Sequence, residues 1–174
     1  MAASRRAPQA KTRWLSEDEQ RSWRAWVSMH LLLDDRLQRE LASAHGLSLA
    51  DYEILVRLSE APDRRLRMSE LADRALSSRS RLSHQITRLE QAGLVARVEC
   101  ASDRRGFFAV LTDHGWSVLV GAAPTHVTGV REHFVDQLSP EEFAALGQAC
   151  VKVLAHLQSL PATPRPQADN AVSA

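Results

Sequence analysis

The spacing of apolar residues changes at Gly93. Before this glycine, apolar residues recur every three or four positions, which is the period of a helix. After it come two short segments rich in Val, Leu and Phe, residues 94–100 and 107–112, with the polar sequence ASDRRG between them. This pattern is typical of a β-hairpin with an exposed tip that carries arginines. The sequence therefore predicts a mainly α-helical chain with one small hairpin.

The first predicted helix is long. Ser16 is followed three positions later by Glu19, which is the spacing of a capping box, where each side chain accepts a hydrogen bond from the other residue's backbone N–H. Apolar residues at helical spacing continue to about Ala44, and Gly46 can end the helix.

Three further helices are predicted in the middle of the chain. Each begins near a serine or another polar residue and ends before a helix breaker. The predicted segments run from Ser48 to before Pro62, over about residues 69–76, and from a cap at Ser77 or Ser78 to Ala92.

Two more helices are predicted after the hairpin. Thr112 caps the fifth, and Pro124 should kink that helix or break it near Val120, because proline lacks a backbone donor. The sixth begins at residues 139–142, where a cap, a first-turn proline and a reciprocal glutamate are in register. Its apolar residues form a heptad seam suited to packing against another helix: Phe143, Leu146, Cys150, Val153, Leu157 and Leu160.

Basic residues are concentrated in the middle of the chain. Between Arg64 and Gly106 there are ten arginines and five acidic residues, although the net charge of the whole chain is only +1. Such a block can attract a polyanion, because phosphate binding depends on local charge rather than on total charge. The alternative is a solvated surface with an arginine-rich composition.

The fourth predicted helix has one apolar face and one polar face. Leu82, Ile86 and Leu89 share the apolar face. A helix fits the major groove of DNA, where arginines, amides and hydroxyls can pair with bases or phosphates, so the polar face is a candidate reading face. Its candidate residues are Ser77, Ser78, Arg79, Ser80, Arg81, His84, Thr87 and Arg88. The alternative is an ordinary amphipathic helix with a polar outer surface.

The predicted hairpin tip adds a second cationic element. Arg104 and Arg105, with Gly106, could reach an adjacent groove or the DNA backbone, and Asp103 is expected to hold a neighbouring guanidinium by a charge-assisted hydrogen bond. The third helix, the fourth helix and the hairpin then form a winged helix-turn-helix, provided that the turn between the two helices is tight.

Several blocks of sequence resemble one family of regulators. Residues 89–95 (LEQAGLV), 103–106 (DRRG) and 111–112 (LT), followed by Gly115, are similar to the MarR family of winged-helix transcription factors. The resemblance extends over about residues 23–160.

Membership in this family implies a homodimer whose first, fifth and sixth helices intertwine. It also implies two winged domains on a pseudopalindromic operator and a small-ligand or oxidant signal that changes DNA affinity. The sequence departs from the family pattern at His84, where many relatives carry arginine. The operator preference is therefore not carried over from the family, and a pH sensitivity at His84 becomes conceivable.

The resemblance also implies an effector cleft between the dimerisation helices and the winged domain. Trp26, Met29, His30 and Tyr52 are the candidates to line it, since they combine aromatic walls with a few polar tips. The alternative is that Trp26 and Met29 belong to the core and that His30 is a hydrogen-bonded bystander.

Redox and metal sensing are disfavoured. Cys100 is placed in a wing strand and Cys150 in the seam of the sixth helix, so both are interpreted as small apolar residues. The seven histidines are scattered without the i, i+4 pairing of a helical metal site. We expect no metal and no cofactor.

Length and composition limit the remaining classes. A chain of 174 residues that is 44% hydrophobic and 25% charged is one ordinary domain. It lacks a long apolar run, so we expect no membrane association and a cytoplasmic location. It has no phosphate-binding glycine loop and no HExxH or GxSxG element, so we expect no enzyme.

The sequence thus predicts a DNA-binding regulator, most simply a repressor, with a small-molecule effector. The alternative function is a winged-helix module that binds protein without specific DNA binding. In the first case, residues 14–46 and 113–160 supply the dimerisation helices and residues 47–112 the DNA-binding domain. Residues 1–13 and 161–174 have the composition of flexible tails.

Overall fold

The computed structural model describes residues 12–100 and 103–160, and for residues 103–105 it describes the backbone. The terminal segments predicted to be flexible lie outside the described residues, apart from residues 12 and 13. The chain is mainly α with one small sheet, as the sequence predicts. The elements in chain order are α1 (Glu17–His45), α2 (Leu49–Ser59), β1 (Arg65–Arg67), α3 (Met68–Arg74), α4 (Arg79–Gln91), β2 (Val95–Cys100), β3 (Asp103–Leu111), α5 (Asp113–His133) and α6 (Pro140–Ser159).

The predicted caps are present at the helix ends. Both capping boxes form, with the Ser16 backbone donating to Glu19 at 2.8 Å and Ser139 donating to Glu142 at 2.8 Å. Gly46 ends α1 in the left-handed conformation at φ 63°, which glycine adopts without steric cost. The start of α4, which the sequence placed at either of two serines, is capped by Ser78.

The sheet has three strands rather than the two of a hairpin. Its order is β1-β3-β2, and all neighbours are antiparallel. Strand β1 was not predicted from the sequence; it is a short segment that precedes α3 and pairs Leu66 with Ala109. This strand extends the hairpin into a sheet that also touches the helix-turn-helix.

The predicted hairpin tip lies partly in a strand. Residues 103–106 were expected in an exposed loop, but β3 begins at Asp103, which pairs with Cys100 beyond an irregularity at Glu99. Polar residues are compatible with a strand here because one face of an antiparallel ribbon can contact water. The first two residues of the predicted tip, 101 and 102, lie outside the described residues.

The core lies between the helix-turn-helix, the sheet and the adjoining parts of α1 and α5. Its fully buried side chains come from several elements. They include Leu41, Ile54, Leu55, Leu58, Leu71, Leu82, Ile86 and Val95. This core fixes α4 by its apolar face, so its polar face is directed away from the domain.

Pro124 does not break the fifth helix. The predicted break near Val120 is absent, and α5 continues from Asp113 to His133 through the proline. Pro124 and Val120 are both exposed, so the Val120 carbonyl that lacks a helical N–H partner lies where water can bind it.

The chain divides into two compact units between Val130 and Arg131. The second unit contains α6, an ion pair between Arg131 and Asp136 at 2.6 Å and an edge-to-face contact between Phe134 and Phe143. None of the α6 side chains that the structure describes is buried. Over the same described part of the chain, no helix is both long enough and apolar enough to cross a membrane.

Candidate nucleic-acid interface

The turn between α3 and α4 is tight, which was the condition for a helix-turn-helix. The Ser77 amide donates to the carbonyl of Ala72 at 3.0 Å, and Leu76 adopts a left-handed backbone at φ 49°. The Ser78 hydroxyl then accepts from the Arg81 amide at 3.2 Å and starts α4. The two serines at the predicted edge of the reading face therefore shape the turn and cap the helix.

The two faces of α4 are arranged as predicted. Leu82, Ile86 and Leu89 are buried in the core, and the opposite side is exposed. The exposed residues of the predicted reading face are Ser78, Arg79, Ser80, Arg81, His84 and Arg88.

Three of these exposed side chains are available for an external partner. The side chains of Arg79, Arg81 and His84 make no hydrogen bond or ion pair with any residue that the structure describes. Two guanidinium groups and an imidazole near the start of α4 thus have no internal partner in the described part of the chain. Such groups can pair with phosphates or with base edges.

Arg88 is held from the neighbouring helix. Its guanidinium lies 3.2 Å from Oδ1 of Asp51 on α2, and Gln85 donates to the same oxygen at 3.0 Å. The Asp51 side chain is only 14% exposed, so its carboxylate is largely shielded from water. It joins α4 to α2 by charge-assisted hydrogen bonds.

Thr87 lies half-buried between α4 and the wing, which is the antiparallel pair of strands β2 and β3. Its hydroxyl donates to the Ser83 carbonyl at 2.9 Å and accepts from Arg97 at 2.9 Å. The hydroxyl is therefore engaged inside the protein, unlike the side chains on the outer face of α4.

Arg97 on β2 is the functional candidate that the sequence analysis missed. Besides Thr87, its guanidinium donates to the Ser83 carbonyl at 2.8 Å and to the Glu90 carboxylate at 3.1 Å. The Arg97 backbone amide also donates to Glu90, at 3.2 Å. One signal was available in the sequence, since strand alternation places Arg97 on the same face as the apolar Val95.

A groove of about 610 Å³ runs between α4, the start of α3 and the wing. It is lined by Arg67, Met68, Ser69, Arg79, Ser83, Arg97, Gly106 and Phe107. Arg65 and Arg67 also lie within cation–π distance of the Phe108 ring. The structure thus places three arginines around one groove beside the exposed face of α4.

Of the predicted wing residues, Gly106 lines this groove. The backbone of Asp103, Arg104 and Arg105 lies in β3, and their side chains are outside the described structure. Their predicted contacts with DNA therefore stay a prediction.

The four candidate effector residues fall at two places. Trp26 stacks on His30 with ring centroids 5.7 Å apart, and Met29 lies half-buried on the same helix. Tyr52 is buried, packs in the core that contains Leu41, and has its ring 4.6 Å from that of His126. Trp26 and Met29 are not among the residues of that core.

His126 is a half-buried histidine that packs against Tyr52. Its Nδ1 atom is buried and has no hydrogen-bond partner among the described residues. Burial lowers the pKa of His126 below its usual 6.5, and the negative charge of Glu53 partly opposes this change. Burial also raises the pKa of Tyr52, against which His126 packs.

The other polar groups do not form a recognisable metal centre. Within the described residues, no cluster of three or more His, Cys, Asp or Glu side chains could hold a metal ion. Cys100 is buried in the wing, and Cys150, interpreted from the sequence as a small apolar residue of the α6 seam, is exposed in the described chain. None of the seam side chains on α6 is buried within the described chain.

The fold and the exposed basic face of α4 define a winged helix-turn-helix protein. The profile of the MarR family matches residues 45–106. The HTH-type transcriptional regulator PecS of Dickeya dadantii is 30% identical over 128 residues, which cover 72% of this chain and 76% of PecS.

Two solved structures from Streptomyces coelicolor are also similar. AbsC, a MarR family transcriptional regulator, is 48% identical with a TM-score of 0.81, over 86% of this chain and 100% of that chain. Sco3205, a MarR family transcriptional regulator solved in complex with DNA, is 45% identical with a TM-score of 0.84, over 88% of this chain and 97% of that chain.

The chain belongs to the MarR family of transcriptional regulators. The resemblance found in its sequence motifs is thereby confirmed. The relatives are transcriptional regulators and not enzymes, in agreement with the expectation from the sequence.

Proposed function

We propose that this protein is a homodimeric repressor that binds a pseudopalindromic operator in duplex DNA and is released by a small-molecule effector. The observation that carries the DNA-binding part is the exposed group of Arg79, Arg81 and His84, which has no partner among the described residues. Unneutralised cations on a helix that the core fixes from behind suit a phosphate-lined major groove.

The recognition helix and the wing have separate roles in this proposal. Arg81 and Arg88 read base edges in the major groove, and Arg79 lies beside the groove that faces the wing. Arg104 and Arg105 contact the flanking DNA backbone or minor groove. The solved complex of Sco3205 with DNA supports duplex DNA as the ligand of this fold.

The homodimer is supported by the apolar surface of the outer helices. Trp23, Trp26, Leu31 and Leu32 are exposed on α1, and Val153, Leu154 and Leu157 are exposed on α6. Exposed apolar surface of this extent is typical of an interface between copies, and a symmetric pair needs only one kind of patch. Two recognition helices related by a twofold axis would then enter successive major grooves, about 34 Å apart.

The effector acts through the spacing of the two recognition helices in this proposal. A ligand that binds more tightly to a dimer with a different helix spacing stabilises that dimer. Operator affinity then falls by a factor that the ratio of the ligand's affinities for the two spacings sets. Trp26, Met29, His30 and Tyr52 remain the candidate effector residues in this proposal. Since the operator is chromosomal, the proposal places the protein in the cytoplasm.

The first experiment measures affinity for DNA upstream of the protein's own gene as a function of salt. Neutralisation of several phosphates gives a steep fall of log affinity with log salt, whereas a protein-binding module would show a weak slope and no retained duplex. Arg81→Ala should change the footprint, and Arg39→Ala serves as the control, because Arg39 is an exposed arginine on α1 that pairs with Asp35.

The same footprint assay tests the repressor and effector parts. A footprint that overlaps the promoter and excludes RNA polymerase in vitro supports repression, and one upstream of the promoter that recruits polymerase overturns it. A panel of metabolites is then tested for release of the bound duplex. The effector should lower the affinity for DNA by a certain factor, and DNA should lower the affinity for the effector by the same factor, since the coupling between two ligands is reciprocal.

A further inference from the structure

The strongest additional feature is the set of hydrogen bonds that joins the wing to the recognition helix. The guanidinium of Arg97 bonds to Ser83, Thr87 and Glu90, which lie on successive turns of α4. The carboxylate of Glu90 accepts from the Arg97 side chain and from its backbone amide. A single side chain therefore fixes β2 along two turns of the helix. We call Arg97, Thr87 and Glu90 the wing brace.

The charge of Arg97 is committed inside the protein. Its side chain is 24% exposed and its guanidinium lies 3.1 Å from the carboxylate of Glu90. By contrast, Arg79 and Arg81 on the outer face of the same helix have no partner among the described residues. Arginine is suited to the brace because its planar fork donates several hydrogen bonds in fixed directions, which a lysine ammonium does not.

The brace lies behind the groove that separates the two DNA-contacting elements. Arg97 and Ser83 line this groove together with Arg79 of the helix and Gly106 of the wing. A wing that moves against α4 would change the distance between the cations of the helix and those of β3. Both elements must fit the same duplex at once, so a loose wing loses the benefit of binding through two connected sites.

We propose that Arg97 is a positioning residue that holds the wing at the angle to α4 at which both engage one DNA site. Thr87 and Glu90 orient its guanidinium. This inference rests on the proposed DNA-binding function and assigns a role to three residues that do not themselves read DNA. It replaces the predicted DNA contact of Thr87 with an indirect role.

The test is a double-mutant cycle between the brace and the wing arginines. The probe is a duplex that the wild-type protein selects from a random-sequence pool, with a mixed-sequence duplex for comparison. In the wild-type background, Arg104→Ala with Arg105→Ala should weaken binding and reduce the salt slope by about two per protomer. In an Arg97→Met background, the same pair of substitutions should change affinity by less than about twofold, because the wing no longer engages at its proper angle.

Two other results of the cycle overturn the proposal. Equal losses in both backgrounds mean that Arg97 does not act through the wing. If Arg97→Met still lowers the salt slope by about one per protomer when both wing arginines are absent, Arg97 is itself a phosphate contact.

Milder variants keep the test valid if Arg97→Met fails to fold. Thr87→Val removes the hydroxyl at nearly constant volume and should lower affinity for the selected duplex about tenfold, while Thr87→Ser should restore it. Thr12→Val, at an exposed threonine that precedes α1, is the matched control and should leave affinity unchanged. Thr87→Val binding that equals wild type would overturn the role of the brace.

Hydrogen exchange without DNA separates this inference from the proposed function. In Thr87→Val, the amides of β2 should exchange faster than in wild type, while those of α2 keep their protection. If wild-type protein fails to bind any duplex with a steep salt slope, the proposed function is overturned. The exchange data still test the wing brace in that case, since unchanged exchange of the β2 amides in Thr87→Val would overturn it.

Discussion

Asp51 and Arg88 form an ion pair, 3.2 Å long, between the second helix and the recognition helix. The pair neutralises the charge of one of the predicted reading residues, whose side chain stays 66% exposed. Gln85 shares the same carboxylate oxygen, so Asp51 controls both the position of α4 and the number of free cations on it.

Removal of the Asp51 charge should separate these two effects. Asp51→Asn weakens the bonds to Gln85 and Arg88, so we expect the free energy of unfolding to fall by about 1–3 kcal/mol. The released Arg88 should increase affinity for mixed-sequence duplex and steepen the salt slope by up to about one per protomer. Urea denaturation and salt titrations measure the two changes.

The control for this variant is Glu53→Gln on the same helix, because Glu53 pairs with Arg57 rather than with α4. It removes one negative charge without freeing a cation of the recognition helix. An equal change of salt slope in both variants would contradict the specific pairing of Asp51 with Arg88.

Leu76 offers a gain in stability. It is 80% exposed and has a left-handed backbone at φ 49°, a conformation that is costly for a residue with a Cβ atom. Leu76→Gly should therefore increase the free energy of unfolding by about 1 kcal/mol in urea denaturation. Leu76→Ala retains the Cβ and should remain within about 0.5 kcal/mol of wild type. Similar gains for glycine and alanine would rule out the backbone explanation.

Gly115 should tolerate no side chain. A Cβ atom there would lie 2.1 Å from the Leu94 carbonyl oxygen and 2.8 Å from a methyl group of Leu111. Gly115→Ala is expected to destabilise the protein by about 1–3 kcal/mol, since the crowding atoms include backbone. Gly121→Ala on the same helix has open space and should stabilise by up to about 1 kcal/mol. Thermal unfolding of the two variants should shift in opposite directions.

His126 should make stability depend on pH. Its pKa is lowered by burial, so the folded chain binds fewer protons at this site than the unfolded chain, whose histidine has the usual value of 6.5. The contribution is complete above pH 6.5 and decreases as the pH falls below it toward the lower pKa of the folded state. His126→Phe keeps a ring against Tyr52 but cannot be protonated.

The measurement compares urea denaturation at about pH 7.5 and pH 5.5. Wild type should lose more stability than His126→Phe between these values. His114→Phe removes an exposed histidine from the same helix and should retain the wild-type difference. Parallel pH profiles for wild type and His126→Phe would show that His126 is not the group responsible.

Local signals in the sequence predicted the helices well. Helix ends depend on residues within four positions, so they can be recognised from the sequence alone. Examples are the capping boxes at Ser16 and Ser139 and the terminating Gly46. The apolar face of α4 was predictable for the same reason, because Leu82, Ile86 and Leu89 have helical spacing.

Features that depend on distant partners were not predictable. The strand β1 has only three residues, and its partner Phe108 lies about forty positions away from Arg67, so no local pattern marks it. Thr87 sits at the border of the two faces of α4, and only the position of Arg97 makes it an internal residue. Strand and helix periods specify which side a residue occupies but not which element packs there.

The aromatic residues of α1 give the protein an intrinsic optical reporter. Trp23 and Trp26 stack at 5.2 Å and are exposed on this helix, and the exposed Trp14 precedes it, so three of the four indoles lie on α1 or just before it in the chain. The fourth, Trp116, lies under the guanidinium of Arg64, 4.3 Å from its ring. Ultraviolet emission from the unlabelled protein would therefore come largely from the first helix, and its wavelength would move to the blue when another molecule displaces water from those rings.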